Sequence, residues 1–222
     1  MDKINEDETL DEIRGVRIIQ KKKGYRFSVD SLLLADFPDL HGIKKAIDLG
    51  TGSGVIAILL AKRSEELAVK GVELQNGLFD MARRNVEFLS LSDRVEIIKE
   101  DLRTLKGRVE GGSFDLVVCN PPYHPVGKGR IGPNVERTVA RHEVAVTLTD
   151  IINISEYLLK DGGKAVLVYP AKRFKELFST MRRFKIGPRR FKEVHTKDVE
   201  LIIVEGEKGY EGEYAEEVPL RL

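Results

Sequence analysis

Short strand-forming runs alternate with helix-forming ones along the 222 residues, which predicts an α/β three-layer sandwich. Its mostly parallel, doubly wound sheet has about seven strands and an antiparallel last pair. Three observations carry this. Apolar runs such as Leu116-Val117-Val118-Cys119 are nearly continuous, as in strands buried on both faces. Segments of helical period separate the runs. The last two strands are joined only by Thr196-Lys197-Asp198, too short for a crossover, so they must be antiparallel.

In chain order, residues 1–26 lack helical periodicity and read as a charged N-terminal arm or small strand pair, ahead of one domain over residues 27–222. A helix begins just after Phe27, with Ser28 or Asp30 as its cap and Phe27 packed against the core or closing one wall of a site. Strands follow at Ala46–Leu49, Val69–Leu74, Val95–Lys99, Phe114–Asn120, Lys164–Tyr169, Phe191–His195 and Val199–Val204. Helices are expected at Val55–Arg63, Gly77–Leu89, Leu148–Leu159 and Ala171–Phe184. In the second of these, Leu78, Met81, Val86 and Leu89 form one apolar face.

Composition excludes several classes. With 41% hydrophobic and 33% charged residues the chain is neither disordered nor membrane-embedded. No apolar run approaches the roughly 20 residues that span a bilayer, and the start has no apolar core of a signal peptide. The single Cys119 excludes an internal disulfide framework or a thiolate-cluster metal site, so a cytoplasmic protein needing no metal is expected. Lys and Arg number 37 against 36 acids, a net charge of +1, yet the charges are segregated. Residues 1–12 carry six acids and one lysine, and residues 14–26 six bases and no acid. Residues 172–192 carry nine bases against Glu176, and Glu205–Glu217 returns to six acids and one lysine. Such blocks create strong local fields.

The stretch Asp48-Leu49-Gly50-Thr51-Gly52-Ser53-Gly54 ends a strand and opens a helix. Glycines permit a sharp turn and a close ligand approach, so this is a tight turn or a site for NAD, another nucleotide or S-adenosylmethionine. Glu73 ends the second strand 23 residues after Gly50, where a ribose-binding acid is expected roughly 20 residues on. Asp101 follows the third strand and can accept a hydrogen bond from an adenine amino group. Acids at successive strand ends lie where open α/β sheets bind ligands. The turn resembles the first motif of class I S-adenosylmethionine-dependent methyltransferases, which have a Rossmann-like fold. That resemblance implies a cofactor site lined by Asp48, Gly50, Thr51, Gly52 and Gly54. Gly50 and Gly52 would pass under the methionine end, Glu73 hold the ribose hydroxyls and Asp101 meet the adenine.

The fourth strand runs into Asn120-Pro121-Pro122-Tyr123. Two prolines fix φ and end the ladder in a rigid corner. A planar amino group is a poor nucleophile because its lone pair is delocalised. The Asn120 side-chain oxygen and the Pro121 carbonyl can hold both amino hydrogens and favour the charge that develops on nitrogen. Tyr123 can stack on a flat substrate. The tetrapeptide resembles the signature of methyltransferases acting on exocyclic or amide nitrogens: adenine-N6, guanine-N2 and release-factor glutamine enzymes. These alternatives remain open at this point, beside a non-catalytic RNA-binding protein on the same fold and a dehydrogenase. Asn120 is then shared by the cofactor and the methyl-transfer point.

Three features narrow the substrate. The length leaves no room for a DNA target-recognition domain. Only about 40 residues precede the first strand, and they are charged rather than the helical domain of release-factor enzymes. Gly24-Tyr25-Arg26-Phe27-Ser28-Val29-Asp30-Ser31-Leu32-Leu33-Leu34-Ala35 resembles a segment of the bacterial tRNA adenine-N6 methyltransferases that modify a valine tRNA beside its anticodon. That family implies a tRNA partner. The long segment from His124 to about Thr147 suits a lid or substrate clamp, and in the resembling family Arg141-His142-Glu143 lies there. Substrate contact is expected from Tyr123, Arg137, Arg141, Lys22 and Arg26. The basic segments Arg14–Arg26, Lys128–Arg141 and Lys172–Lys192 are candidate walls of one nucleic-acid face, with the acidic ends away from it.

Overall fold

A computed structural model of the chain describes residues 4–24, 26–121, 146–195 and 200–222. It opens with an antiparallel hairpin, β1 (Glu8–Ile13) and β2 (Val16–Lys21), then α1 (Val29–Asp36). Next come β3 (Lys45–Leu49), α2 (Val55–Arg63), β4 (Ala68–Glu73), α3 (Asn76–Phe88) and β5 (Val95–Lys99). A short 3-10 turn over Leu102–Thr104 leads to β6 (Phe114–Cys119). The rest is α4 (Leu148–Leu158), β7 (Leu159–Pro170), a 3-10 turn at Ala171–Arg173, α5 (Phe174–Arg183), β8 (Ile186–His195), β9 (Glu200–Lys208) and β10 (Ala215–Arg221).

Eight strands form one sheet in the order β10-β8-β9-β7-β6-β3-β4-β5. Only β9 runs against its neighbours; every other pairing is parallel. From β3 the chain winds outward through β4 to β5, then returns to place β6 on the other side of β3. That reversal opens a crevice at the strands' carboxyl ends, between β3 and β6. The alternation of side chains explains the layers. Ala46, Leu116, Val118, Val166 and Val168 face a core shared with α1, α2 and α3. Ile47, Leu49, Val117, Cys119 and Leu167 face the other, under α4 and α5. Fully burying each such side chain contributes about 1.5–3 kcal/mol, so both faces are committed.

The sheet has one strand more than the seven expected. β10 is an edge strand whose Pro219 sits at a register irregularity between Glu217 and Leu220, where a missing N–H is tolerated. Its residues are largely exposed, and Glu217 anchors it to Arg190 and Lys192. Ser28 does stand at the start of α1, but it caps nothing: its hydroxyl donates to Asp30 at 2.9 Å. Phe27 is half-buried against the core.

The β1–β2 hairpin is docked on α3. Val16 and Ile18 enter the main core, and the Arg17 guanidinium lies 5.3 Å from the Phe88 ring. Glu8, only 3% exposed, receives two hydrogen bonds from Arg84 at 2.9 and 2.5 Å and one from the Asn5 N–H at 3.0 Å. Burial raises the Glu8 carboxyl, but these bonds outweigh it and hold it at about 2. Glu8 therefore contributes stability above its ordinary 4.5 that drains away as the pH falls toward about 2. Arg84→Ala removes both guanidinium hydrogen bonds from a buried carboxylate and leaves Lys21, 3.8 Å away, as its counter-charge. Urea denaturation should show a loss of about 2 kcal/mol near neutral pH, shrinking toward zero once Glu8 is protonated.

Candidate functional site

Register brings the key residues to one level. Leu49 pairs with Val72 of β4 and with Cys119 of β6, so Gly50, Glu73 and Asn120 follow on three adjacent strands about 4.8 Å apart. The Gly50 and Thr51 N–H groups donate to the Val72 carbonyl at 3.0 and 2.9 Å, and the Gly54 N–H donates to the Thr51 carbonyl. Gly50, Gly52 and Gly54 have φ of 76°, 58° and 83°, a region closed to most side chains. A Cβ at Gly54 would also stand 3.2 Å from Ala82 Cβ.

Glu73 closes the turn. One oxygen accepts from the Gly52 N–H at 2.9 Å, the other from the Gln75 N–H at 2.8 Å. The residue is 6% exposed, and burial raises its carboxyl above the usual range despite those bonds. Asp48 is fully buried and accepts from the Thr51 hydroxyl at 2.5 Å. Burial pushes it up to about 7, against the Thr51 hydroxyl and the Ala57 N–H, while the Glu73 charge pushes the same way as burial. Asp48 Oδ1 and Ser53 Oγ are buried without a full hydrogen bond, and a Cβ at Gly50 would meet nothing within 4 Å. The turn thus offers open space in front of its backbone and oxygens in need of donors, which fits a ligand carrying an ammonium group and hydroxyls.

Asp101 stands at the strand end as expected, but it caps the 3-10 turn. It accepts from the Arg103 N–H at 2.9 Å and from its guanidinium at 2.9 Å. Those bonds hold its carboxyl below the usual range. Asn120 Nδ2 donates to Ser31 Oγ at 3.0 Å, which directs Oδ1 the opposite way. Ser31 is buried on α1 and joins the site from a distance of 89 residues in sequence. Two apolar residues at this edge remain unusually exposed, Leu74 at 47% and Val29 at 43%. An apolar residue directly after a strand-end acid was the signal for Leu74. Pro121 follows Asn120; Pro122, Tyr123, Arg137, Arg141 and the rest of residues 122–145 lie outside the described residues.

Among the described residues the basic blocks are not one open face. Arg26 binds Asp11, the Thr9 hydroxyl and the Lys21 carbonyl. Arg190 lies between Glu205 and Glu217, Arg189 pairs with Glu207 and Lys192 with Glu217. The acidic ends thus lie on the basic segments, not away from them, because β8 runs between β9 and β10. A charged hollow of about 600 Å³ beside Asp39, Lys164, Arg190 and Tyr210 belongs to this network, not to the strand ends. Lys22 donates to the Glu6 carbonyl at 2.7 Å and remains exposed. Lys172 and Lys175 are exposed and form no ion pair among the described residues. No three His, Cys, Asp or Glu among the described residues group to hold a metal, and no described helix is long and apolar enough to cross a membrane.

A site at the switch point of a doubly wound sheet, built on a glycine turn and two strand-end acids, defines a class, and comparison places the chain in it. Residues 28–187 match the methyltransferase small domain family, and the chain belongs to that family. It is similar to proteins named tRNA1(Val) (adenine(37)-N6)-methyltransferase. The Tolumonas auensis protein is 29% identical over 72% of this chain and 65% of its own length. The Porphyromonas gingivalis W83 protein is 33% identical over 68% and 59%, and the Trichodesmium erythraeum protein 34% over 70% and 64%. The chain spans about three fifths of these relatives. Two solved structures share the fold. An Agrobacterium tumefaciens protein described as a predicted O-methyltransferase has TM-score 0.68 at 21% identity, covering 86% of each chain. Pyrococcus horikoshii TYW2 in complex with MeSAdo has TM-score 0.67 at 14% identity, covering 93% of this chain and 73% of its own.

The raised Asp48 carboxyl has a consequence for stability. Between its ordinary 3.8 and about 7 the folded protein keeps a proton that the unfolded chain has lost, so stability falls as pH rises across that interval. Asp48→Asn should flatten the dependence of Tm on pH there, leaving the smaller slope from Glu73.

Proposed function

We propose that this protein transfers the methyl group of S-adenosylmethionine to the exocyclic N6 of an adenine in tRNA. The observation that carries the reading is the level arrangement of Glu73, the Gly50–Gly54 turn and Asn120 at one sheet edge. The cofactor supplies an electrophilic methyl on a sulfonium. The glycine turn would lie under its methionine end, with Asp48 toward its ammonium. Glu73 has lone pairs beyond its two backbone bonds for the ribose hydroxyls. Asp101, held by Arg103, would meet the adenine edge, and the exposed Leu74 would cover a ring face. The curated relatives' names favour tRNA and adenine.

At the acceptor, Asn120 Oδ1 and the Pro121 carbonyl would receive the two amino hydrogens and turn the nitrogen lone pair toward the methyl. Acceptors placed there favour the charged nitrogen of the transition state over the neutral ground state. With the cofactor bound, its methyl would be supplied to the neutral amino nitrogen while Asn120 Oδ1 and the Pro121 carbonyl hold the amino hydrogens, so no base would be needed beforehand. Tyr123, Arg137 and Arg141 are proposed to contact the substrate. For phosphates, Lys172 and Lys175 join Lys22. They flank the exposed Phe174 just after β7, the strand beside β6, at the Asn120 end of the sheet.

Incubation of the protein with bulk tRNA and methyl-labelled cofactor, followed by nucleoside analysis, should place the label in N6-methyladenosine. Label in N2-methylguanosine or in protein glutamine, with none in N6-methyladenosine, would overturn the substrate. Asn120→Ala should keep cofactor affinity within a few-fold and lose about 100-fold or more in turnover. Lys172→Glu with Lys175→Glu should weaken tRNA binding and flatten its salt dependence, whereas Lys192→Glu, already ion-paired to Glu217, should do neither.

A further inference from the structure

We propose that Asn85 is a positioning residue for the cofactor turn, tying the β1–β2 hairpin to the Ser53 carbonyl so that the hairpin supports the cofactor site. Asn85 lies on α3 and is 0% exposed. Its Oδ1 accepts from the Ile19 N–H at 2.7 Å. Its Nδ2 donates to the Ile19 carbonyl at 2.9 Å and to the Ser53 carbonyl at 2.9 Å. The Ile19 main chain fixes which way the carboxamide faces, since its N–H needs the oxygen and its carbonyl needs the nitrogen. The second amide hydrogen is thereby aimed at Ser53.

Ser53 sits between Gly52 and Gly54, both at positive φ. Glycines leave such a turn conformationally soft, so its shape depends on external anchors. Glu73 anchors the Gly52 N–H, and Asn85 anchors the carbonyl of the following residue, Ser53. The neighbouring Arg84–Glu8 pair and the Arg17–Phe88 contact hold the hairpin to the same helix. No other side chain supplies one acceptor and two donors at this length. Aspartate keeps the acceptor and loses both donors, while glutamine is a methylene too long.

Coupling of this kind is reciprocal: a ligand that orders the turn must also tighten the hairpin. The proposal rests on the cofactor reading above, and S-adenosylhomocysteine is the probe. Calorimetry should give Asn85→Asp a Kd raised about tenfold, with its far-UV circular dichroism intact and kcat at saturating cofactor within about two-fold. Hydrogen exchange on the unmutated protein needs no variant: S-adenosylhomocysteine should slow exchange of the Ile19 amide and its β2 neighbours. Failure of the unmutated protein to bind overturns the cofactor reading and this inference together. Binding without protection of β2, or an Asn85→Asp Kd within two-fold of the parent, overturns this inference alone.

Discussion

Two backbone N–H groups from different turns converge on the Glu73 carboxylate, and the rest of the site depends on that convergence. Gly52 belongs to the turn after β3, Gln75 to the turn before α3. A carboxylate taken out of water is tolerated only where donors replace its hydration. Here the donors are main-chain groups whose position then becomes fixed. Glycine is required at residues 50, 52 and 54 because the chain reaches Glu73 through positive φ. Asp48, walled in beneath the same turn, shares the penalty of burial, and the Glu73 charge raises it further. The site thus holds negative charge in reserve where a cationic ligand would sit.

Asn120 completes the arrangement by simple strand register, one strand over from the glycine turn. The proposed methyl transfer needs alignment more than acid or base power, so rigid placement is the relevant property. The placement is shared: Pro121 stiffens the strand exit, while the Ser31 hydroxyl on α1 takes the Asn120 amide hydrogen. The segment that resembles the tRNA adenine-N6 family therefore touches Asn120 directly. Helices α1 and α3, on one face of the sheet, each reach over its edge with a single buried polar side chain, Ser31 and Asn85.

Much of this was legible in the sequence, and the exceptions have physical reasons. Short strand-forming runs marked β3, β4 and β6, and the glycine turn with Glu73 marked the candidate site. β10 was missed because charge, more than apolar alternation, holds it: Glu217 binds Arg190 and Lys192, and apart from Leu220, which packs on the core, its other residues face water. The two described basic blocks were misjudged because a local charge count carries no topology. Only the sheet order reveals that β9 and β10 bring acids to both sides of Arg190. Ser31 and Asn85 look like ordinary polar helix residues until their partners, 89 and 66 residues away, are in place. Asp101 was correctly located at a strand end, but its pairing with Arg103 shows only in three dimensions.

The proposed methyl transfer requires the strand-end crevice between β3 and β6 to be the cofactor site. Backbone amide chemical shifts followed during titration with S-adenosylhomocysteine test it most directly. The largest shifts should fall on Gly50, Gly52, Gln75, Leu102 and Asn120, with Arg189, Arg190 and Tyr210 unmoved. Shifts centred on the charged hollow beside Arg190 and Tyr210, with the glycine turn unmoved, would contradict it.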